Sequence, residues 1–324
     1  MRRVGLLVYP DFQIMCFAAL SVFEVANKEA GARLYDIELL SESPGTVRSS
    51  MGQAISCAPL RADALDTLMI GVGMEIPETS PTVSAFLVDA ARTTRRLASI
   101  CLGSFVLGDA GLLDGRKATT HWNFGDEMRR RYPQCQVELD RIYVKDGPIW
   151  SSAGMSAGTD LALGLVEEDH GRDLARHIAR GMVMHHRRGG GQSQHSTLLD
   201  LDARSDRVQT VLAYARRNLR RPLSLPELAG VANLSPRQFT RLFRGETGHT
   251  PARAIAMLRL EQARAMLEQG SLAVETVARD SGFGDTERMR RAFIRLVGET
   301  PLRLRRRAKE QDDAPATKER ESRR

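Results

Sequence analysis

Apolar residues follow two rhythms along this chain, and the change between them falls after residue 188. In the first part, short apolar runs alternate with stretches whose apolar positions suit a helix. The runs are "VGLLVY" (4–9), "IELLS" (37–41), "TLMIGVG" (67–73) and "LASIC" (97–101). Unbroken apolar runs of strand length between helical segments predict an α/β domain with a buried, mainly parallel sheet. "VELDRIYVKDGPIWSSAG" (137–154) predicts two further strands around a tight turn at Asp146-Gly147, and Ser156 to about His186 reads as helix. "RRGGGQSQHSTLLDLD" (187–202) comes next. Its glycines lack the Lys-Ser/Thr of a phosphate cradle, so it predicts a linker over 189–204. Residues 205–305 are helical throughout. From about Arg305 the sequence "RRRAKEQDDAPATKERESRR" has almost nothing apolar to bury, which predicts a disordered charged tail over 306–324.

A length of 324 residues fits two cores better than one. The net charge of +7 is unevenly spread: residues 1–204 sum to −3 and residues 205–324 to +10. The basic part therefore expects a polyanionic partner. Cys16, Cys57, Cys101 and Cys135 show no C-x-x-C spacing, which argues against zinc and against a disulfide scaffold. Reduced thiols in a cytoplasmic protein, with no metal and no cofactor, are the expectation. "MRRVGLLVYPDF" reads as a first strand ended at Pro10-Asp11 rather than a signal peptide. No stretch approaches the ~18 apolar residues of a membrane span, so a soluble chain is expected.

Two segments of the basic third repeat at a shift of about fifty residues: "LSLPELAGVANLSPRQFTRLFRGETGHTP" (223–251) and "LAVETVARDSGFGDTERMRRAFIRLVGETP" (272–301). Each predicts helix, tight turn, helix. Ser224 with Glu227, and Ser235 with Gln238, form capping boxes, and Asp285 can cap in the second copy. Phe239, Leu242 and Phe243 turn inward, as do Met289, Ala292 and Phe293. Arg237, Thr240, Arg241 and Arg244, and then Glu287, Arg288 and Arg291, are left facing outward. Short helices with one apolar face and an outer row of donors suit reading of a major groove. Between the copies, Ala256, Leu260, Ala263 and Leu267 keep helical spacing and predict a spacer packed against both. With "RLEQARAMLEQG" and "GFGDTERMRRAFIRLVGETP", residues 205–305 resemble the AraC/XylS-type DNA-binding domain, an all-α fold with two helix-turn-helix units. The resemblance implies base contact by Arg237, Thr240, Arg241, Glu287, Arg288 and Arg291.

In the first domain Cys101 ends a strand and opens a helix through Leu102-Gly103-Ser104. Such an elbow exposes a side chain at the carboxyl edge of the sheet and sets its thiol at a helix start, which favours thiolate. His121 is a candidate base, and Trp122 beside it is expected in the core. Cys16, Cys101, Leu102 and His121 are the candidate lining of a pocket at that edge, where backbone N–H groups suit a carboxylate. "GLLDGRKATTHW" (111–122), "SSAGMSAGTDLALGLVEE" (151–168) and "GGQSQHS" (190–196) resemble GlxA-type regulators. These join a ThiJ/PfpI domain, with the flavodoxin-like fold of class I glutamine amidotransferases, to an AraC-type domain. Enzymes of the first fold carry an acidic residue near the elbow, and the matching position here is Cys16. Cys101 is thus open to three readings: a relic lining a ligand pocket, a nucleophile, or a redox sensor coupled to Cys16.

The expected function is a sequence-specific transcriptional activator. Its partners would be an operator in double-stranded DNA, a small effector such as an amino acid or quaternary amine, a second copy of the chain, and RNA polymerase. A cysteine-dependent amidase or hydrolase using Cys101 and His121 is the alternative, and a nucleoid binder indifferent to sequence is a third reading.

Overall fold

The computed structural model describes residues 1–63, 65–184, 194, 201, 205–268 and 272–312, with residues 307–312 by backbone alone. The chain divides into two compact units, Met1–Gln194 and His195–Arg324.

The first unit is built on strands β1 (Arg2–Val8), β2 (Tyr35–Ser41), β3 (Gly45–Arg48), β4 (Ala54–Pro59), β5 (Thr67–Gly71), β6 (Arg96–Ile100), β7 (Lys117–Ala118), β8 (Gln136–Val137), β9 (Tyr143–Asp146) and β10 (Ile149–Ser152). Among the described residues its main sheet runs β3-β4-β2-β1-β5-β6-β10-β9. The pairs from β4 to β10 are parallel, and β3 and β9 close the two edges antiparallel. Helices α1 (Cys16–Ala30), α2 (Pro81–Thr93), α3 (Gly103–Asp109), α4 (Gly125–Arg131), α5 (Met155–His170) and α6 (Arg172–Gly181) complete the unit.

Pleating sends alternate strand residues to opposite faces. Leu6, Met69 and Ala98 join Phe23 of α1 and Leu161 of α5 in one core. Their neighbours Leu7, Leu68, Ile70 and Leu97 join Leu87 of α2 and Phe105 of α3 in the other. Both faces are covered, which is why the central strands read as unbroken apolar runs rather than as alternation. The four long strand runs thus formed as expected. The β3–β4 hairpin and the short β7–β8 pair have weak apolar patterns and were not anticipated.

The amino ends of β1, β5 and β6 are pinned by ions. The Asp169 carboxylate, fully buried at the end of α5, lies 2.8 Å from Arg96 Nη2 and 2.6 Å from Arg95 Nη2, and accepts from Tyr35 Oη at 2.8 Å. Arg96, itself only 2% exposed, also donates to Thr67 Oγ1 and to the Leu165 carbonyl. Burial works to raise the Asp169 pKa, but the charges and hydrogen bonds of Arg96 and Arg95 outweigh it and hold the carboxyl below its ordinary value.

In the second unit, helices α7 (Asp206–Arg217), α8 (Leu225–Val231), α9 (Pro236–Thr247), α10 (Pro251–Glu268), α11 (Val274–Asp280), α12 (Thr286–Val297) and α13 (Pro301–Asp312) build two small cores. Both capping boxes form at Ser224 and Ser235, and Asp285 caps α12 by accepting from the Arg288 N–H at 2.7 Å. The repeat is reproduced in detail. Gly248 and Gly298 end α9 and α12 at φ 71° and 79°, and Thr250 and Thr300 accept from the N–H groups of Arg253 and Arg303, each at 3.3 Å.

Three expectations need correction here. Helix α10 does pack against both units, but through two faces: Ala254, Ile255 and Leu258 on the first core, and Ala263 and Leu267 with partly buried Leu260 on the second, while Ala256 is half-buried. A single straight face cannot serve two cores that lie at different angles around one helix. Leu201, assigned to the linker, is buried in the core of the first helix-turn-helix unit. Helix α13 continues through Asp312, past the Arg305 where the tail was expected to begin. Residues 313–324, and the linker apart from Gln194 and Leu201, lie outside the described residues.

Candidate DNA interface and sensor crevice

On α9, Arg237, Arg241 and Arg244 are exposed at spacings of four and three residues, so they form one row while Phe239 and Phe243 are buried behind them. Thr240 lies beside this row, half-buried, its hydroxyl donating to the Pro236 carbonyl at 2.8 Å. On α12, Arg288, Arg291 and Arg295 form the matching exposed row over buried Met289, Ala292 and Phe293. Glu287 is exposed but engaged: Arg290 Nε lies 2.8 Å from its carboxylate and Arg291 Nε 3.3 Å. Exposed pairs of this kind are weak and exchange readily with other partners.

A groove of about 930 Å³ separates the two helix-turn-helix units; Thr240, Arg288, Arg291 and Arg295 line it together with Arg220 and Arg259. A second depression of about 630 Å³ follows α9 along Arg237, Thr240, Arg241 and Arg244. Thr240, Arg288 and Arg291 are thus brought to one groove, with Arg237 and Arg241 on the adjoining wall. Arg244 belongs to the outward row read from the sequence but not to the base contacts the resemblance implies, and Arg295 was missed, although both continue the arginine rows at helical spacing. Arg220 follows α7 and reaches the groove through tertiary packing, which no local pattern encodes.

At the carboxyl edge of the first unit, Cys101 sits at φ 55°, in the left-handed region, between β6 and α3. A non-glycine residue held there stores strain of about 1–3 kcal/mol. The surroundings hold it: its N–H donates to the Ser152 carbonyl at 3.0 Å, and its carbonyl accepts from Ser104 Oγ at 3.1 Å and Thr120 Oγ1 at 3.3 Å. Close approach of α3 to β5 requires Gly103, where a Cβ would lie 2.7 Å from the Ile70 carbonyl oxygen.

The expected thiolate is not favoured. Burial pushes the Cys101 thiol up to about 11, against one lowering contact from the Leu102 N–H. Two turns of α3 do not offset that desolvation. Cys16, fully buried beside Gly71, is pushed up to about 12 by burial and then by neighbouring Cys101. Leu102 is packed into the core with Ile70 and Phe105, so its side chain does not line a pocket. Trp122 is the opposite case, half exposed instead of in the core. His121 lies against Gly154 at the end of β10, and its Nδ1 accepts from the Asn123 N–H at 3.3 Å. That bond selects the tautomer with its proton on Nε2. Gln194, from the expected linker, donates through Nε2 to the Thr120 carbonyl at 2.8 Å and to Thr119 Oγ1 and the Arg141 carbonyl at 3.1 Å each, beside the segment that carries His121.

With a pKa near 11, roughly one Cys101 thiol in a thousand is ionised at pH 8. Alkylation of Cys101 by iodoacetamide, followed by peptide mass spectrometry, is expected to quicken about tenfold per pH unit up to that value. Labelling at neutral pH as fast as that of an unhindered thiol would contradict this account.

Residues 9–168 match the DJ-1/PfpI family and residues 228–307 a helix-turn-helix domain family. The HTH-type transcriptional regulator GlxA of Rhizobium meliloti is 32% identical over 320 residues, covering 95% of this chain and 96% of that protein. The chain belongs to this family of HTH-type transcriptional regulators. It joins a DJ-1/PfpI domain to an AraC-type helix-turn-helix domain, and it is a DNA-binding regulator. A solved AraC family transcriptional regulator from Pseudomonas putida is 26% identical, with a TM-score of 0.52, and covers 56% of this chain and 100% of that one. The isonitrile hydratase of Pseudomonas putida is 42% identical over 180 residues, covering 54% of this chain and 75% of that enzyme. Among the described residues no helix is long and apolar enough to cross a membrane.

Proposed function

We propose that this regulator reads an operator through α9 and α12 and that a small molecule bound at the Cys101 edge sets how much of the chain is competent to bind. The observation that carries the first half is the pair of arginine rows on duplicated helices, each with a side-chain N-cap: Arg288, Arg291 and Arg295 line one groove with Thr240, and Arg237, Arg241 and Arg244 follow the depression beside it. Arginine spans the two acceptors of guanine, and its charge releases counterions from the duplex. The second half rests on the strained elbow and on the crevice that parallel α/β sheets offer at their carboxyl ends. A metabolite bearing a carboxylate or an amine is the proposed effector. Pairing of two copies, and activation rather than repression, belong to the same proposal, since an effector acts by shifting a population between arrangements.

Footprinting across the genome with and without candidate metabolites tests the reading, preceded by thermal-shift measurements over amino acids and quaternary amines. Occupancy that never responds to a metabolite, with no stabilisation across the panel, would remove the sensor half.

The φ 55° elbow at Cys101 and the similarity to isonitrile hydratase favour one second reading, a cysteine-dependent enzyme. Against it stand the raised thiol pKa, the acceptor role of His121 Nδ1 and the absence of a carboxylate at position 16. Turnover of glutamine, small amides, glyoxals and isonitriles by wild type, lost in Cys101→Ala, would establish it.

A further inference from the structure

We propose that Gly282 is a positioning residue for DNA reading: it locks the turn of the second helix-turn-helix unit onto the backbone after α7, and so sets the spacing between the base pairs that α9 and α12 can engage together. The proposal rests on the reading of α9 and α12 as recognition helices.

Each helix-turn-helix unit has its own core, and α10 runs through both. A second contact between the units decides whether they move as one body. Gly282 supplies it. A Cβ at this position would lie 1.8 Å from the Leu219 carbonyl oxygen, 2.7 Å from the Leu219 carbonyl carbon and 2.9 Å from Arg259 Nε. The two backbones therefore touch directly. Leu219 is buried in the first core, and Phe283, next to the glycine, is buried in the second. Arg259, on α10, staples the contact: its Nε donates to the Leu219 carbonyl at 3.2 Å and its Nη2 to the Arg221 carbonyl at 2.9 Å. Gly282 also sits at φ 87°, so any side chain there adds backbone strain to the clash.

For the DNA this has a geometric consequence. One inserted base pair moves the second contacted segment by about 3.4 Å along the duplex and turns it by roughly 35°. Two freely hinged units would follow such a change. Two units locked at Gly282 cannot, and they discriminate spacing without touching the intervening bases.

The experiment uses the full chain and duplexes recovered by selection from a random-sequence library. One base pair is then inserted or deleted between the two footprinted segments. Wild type is expected to lose about tenfold or more in affinity with either change. Gly282→Ala should bind the selected duplex about tenfold more weakly and show a spacing penalty reduced to about twofold. Arg259→Gln, which frees the staple without a clash, should shift the penalty in the same direction, and it decides the matter if Gly282→Ala does not fold by circular dichroism. Gly298→Ala controls for strain, because Gly298 has φ 79° with nothing within 4 Å of a built Cβ. It should keep the wild-type spacing penalty.

Without DNA, amides at Leu219–Arg221 and Ser281–Gly284 should exchange faster in Arg259→Gln than in wild type, so loss of the lock is visible apart from any failure of DNA reading. Affinity lowered equally at every spacing in Gly282→Ala and Arg259→Gln would mean a merely structural role and overturns the proposal. A wild type indifferent to spacing, or unchanged exchange in Arg259→Gln, overturns it too.

Discussion

Asp169→Asn is expected to lower the stability of the first unit by about 3–5 kcal/mol, because it leaves Arg96 buried without its main counter-charge. Asp66 lies 3.5 Å from Arg96 and gives partial relief, which favours the lower end of that range. Both tryptophans, Trp122 and Trp150, belong to the first unit, so fluorescence during urea unfolding reports on it alone. The effect also has a pH signature. Asp169 is held below its ordinary pKa, so between the folded and unfolded values the unfolded chain binds more protons. Its contribution is complete above about pH 4 and is lost as pH falls through the folded value. Asp66, facing Arg95 and Arg96, is shifted the same way. Wild type should therefore lose stability on acidification more steeply than Asp169→Asn. An unfolding midpoint for the variant within error of wild type at pH 7 would show that the network contributes little.

Arg241→Ala and Arg291→Ala are each expected to weaken binding to a selected duplex by about 1–3 kcal/mol, or about 5- to 150-fold, and to relax preference at one base position. Arg220→Ala makes the informative contrast. Its position outside the reading helices suits a phosphate contact, so its loss should lower affinity evenly across sequences and reduce the salt dependence by about one ion. Gel-shift series at several salt concentrations separate the two patterns. If Arg241→Ala and Arg291→Ala keep full discrimination between selected and scrambled DNA, base reading lies elsewhere on the surface.

Much of this organisation was legible in advance. Ser224, Ser235 and Asp285 announced helix starts because capping is local and chemically specific. The unbroken runs of β1, β5 and β6 announced a sheet covered on both faces. Arg244 and Arg295 show a different limit, since the periodicity contained them and the resemblance did not. At Cys101 the elbow was legible and the acidity of its thiol was not. A helix start is visible in the order of residues, whereas desolvation depends on what else is packed around the sulfur.

The order of residues alone determined two structural regimes, a duplicated pair of capped helices with arginines on their outer faces, and a basic second part. Each is written in neighbours three or four positions apart or in simple counts. Tertiary structure alone decided that residues 66, 95, 96 and 169 form one ionic cluster around the buried Arg96–Asp169 pair, that Leu102 is core and Trp122 is surface, and that Gly282 meets Leu219. Those pairings join residues far apart in the chain. They are selected by the register of the sheet and the angles at which helices pack, and no local spacing records either.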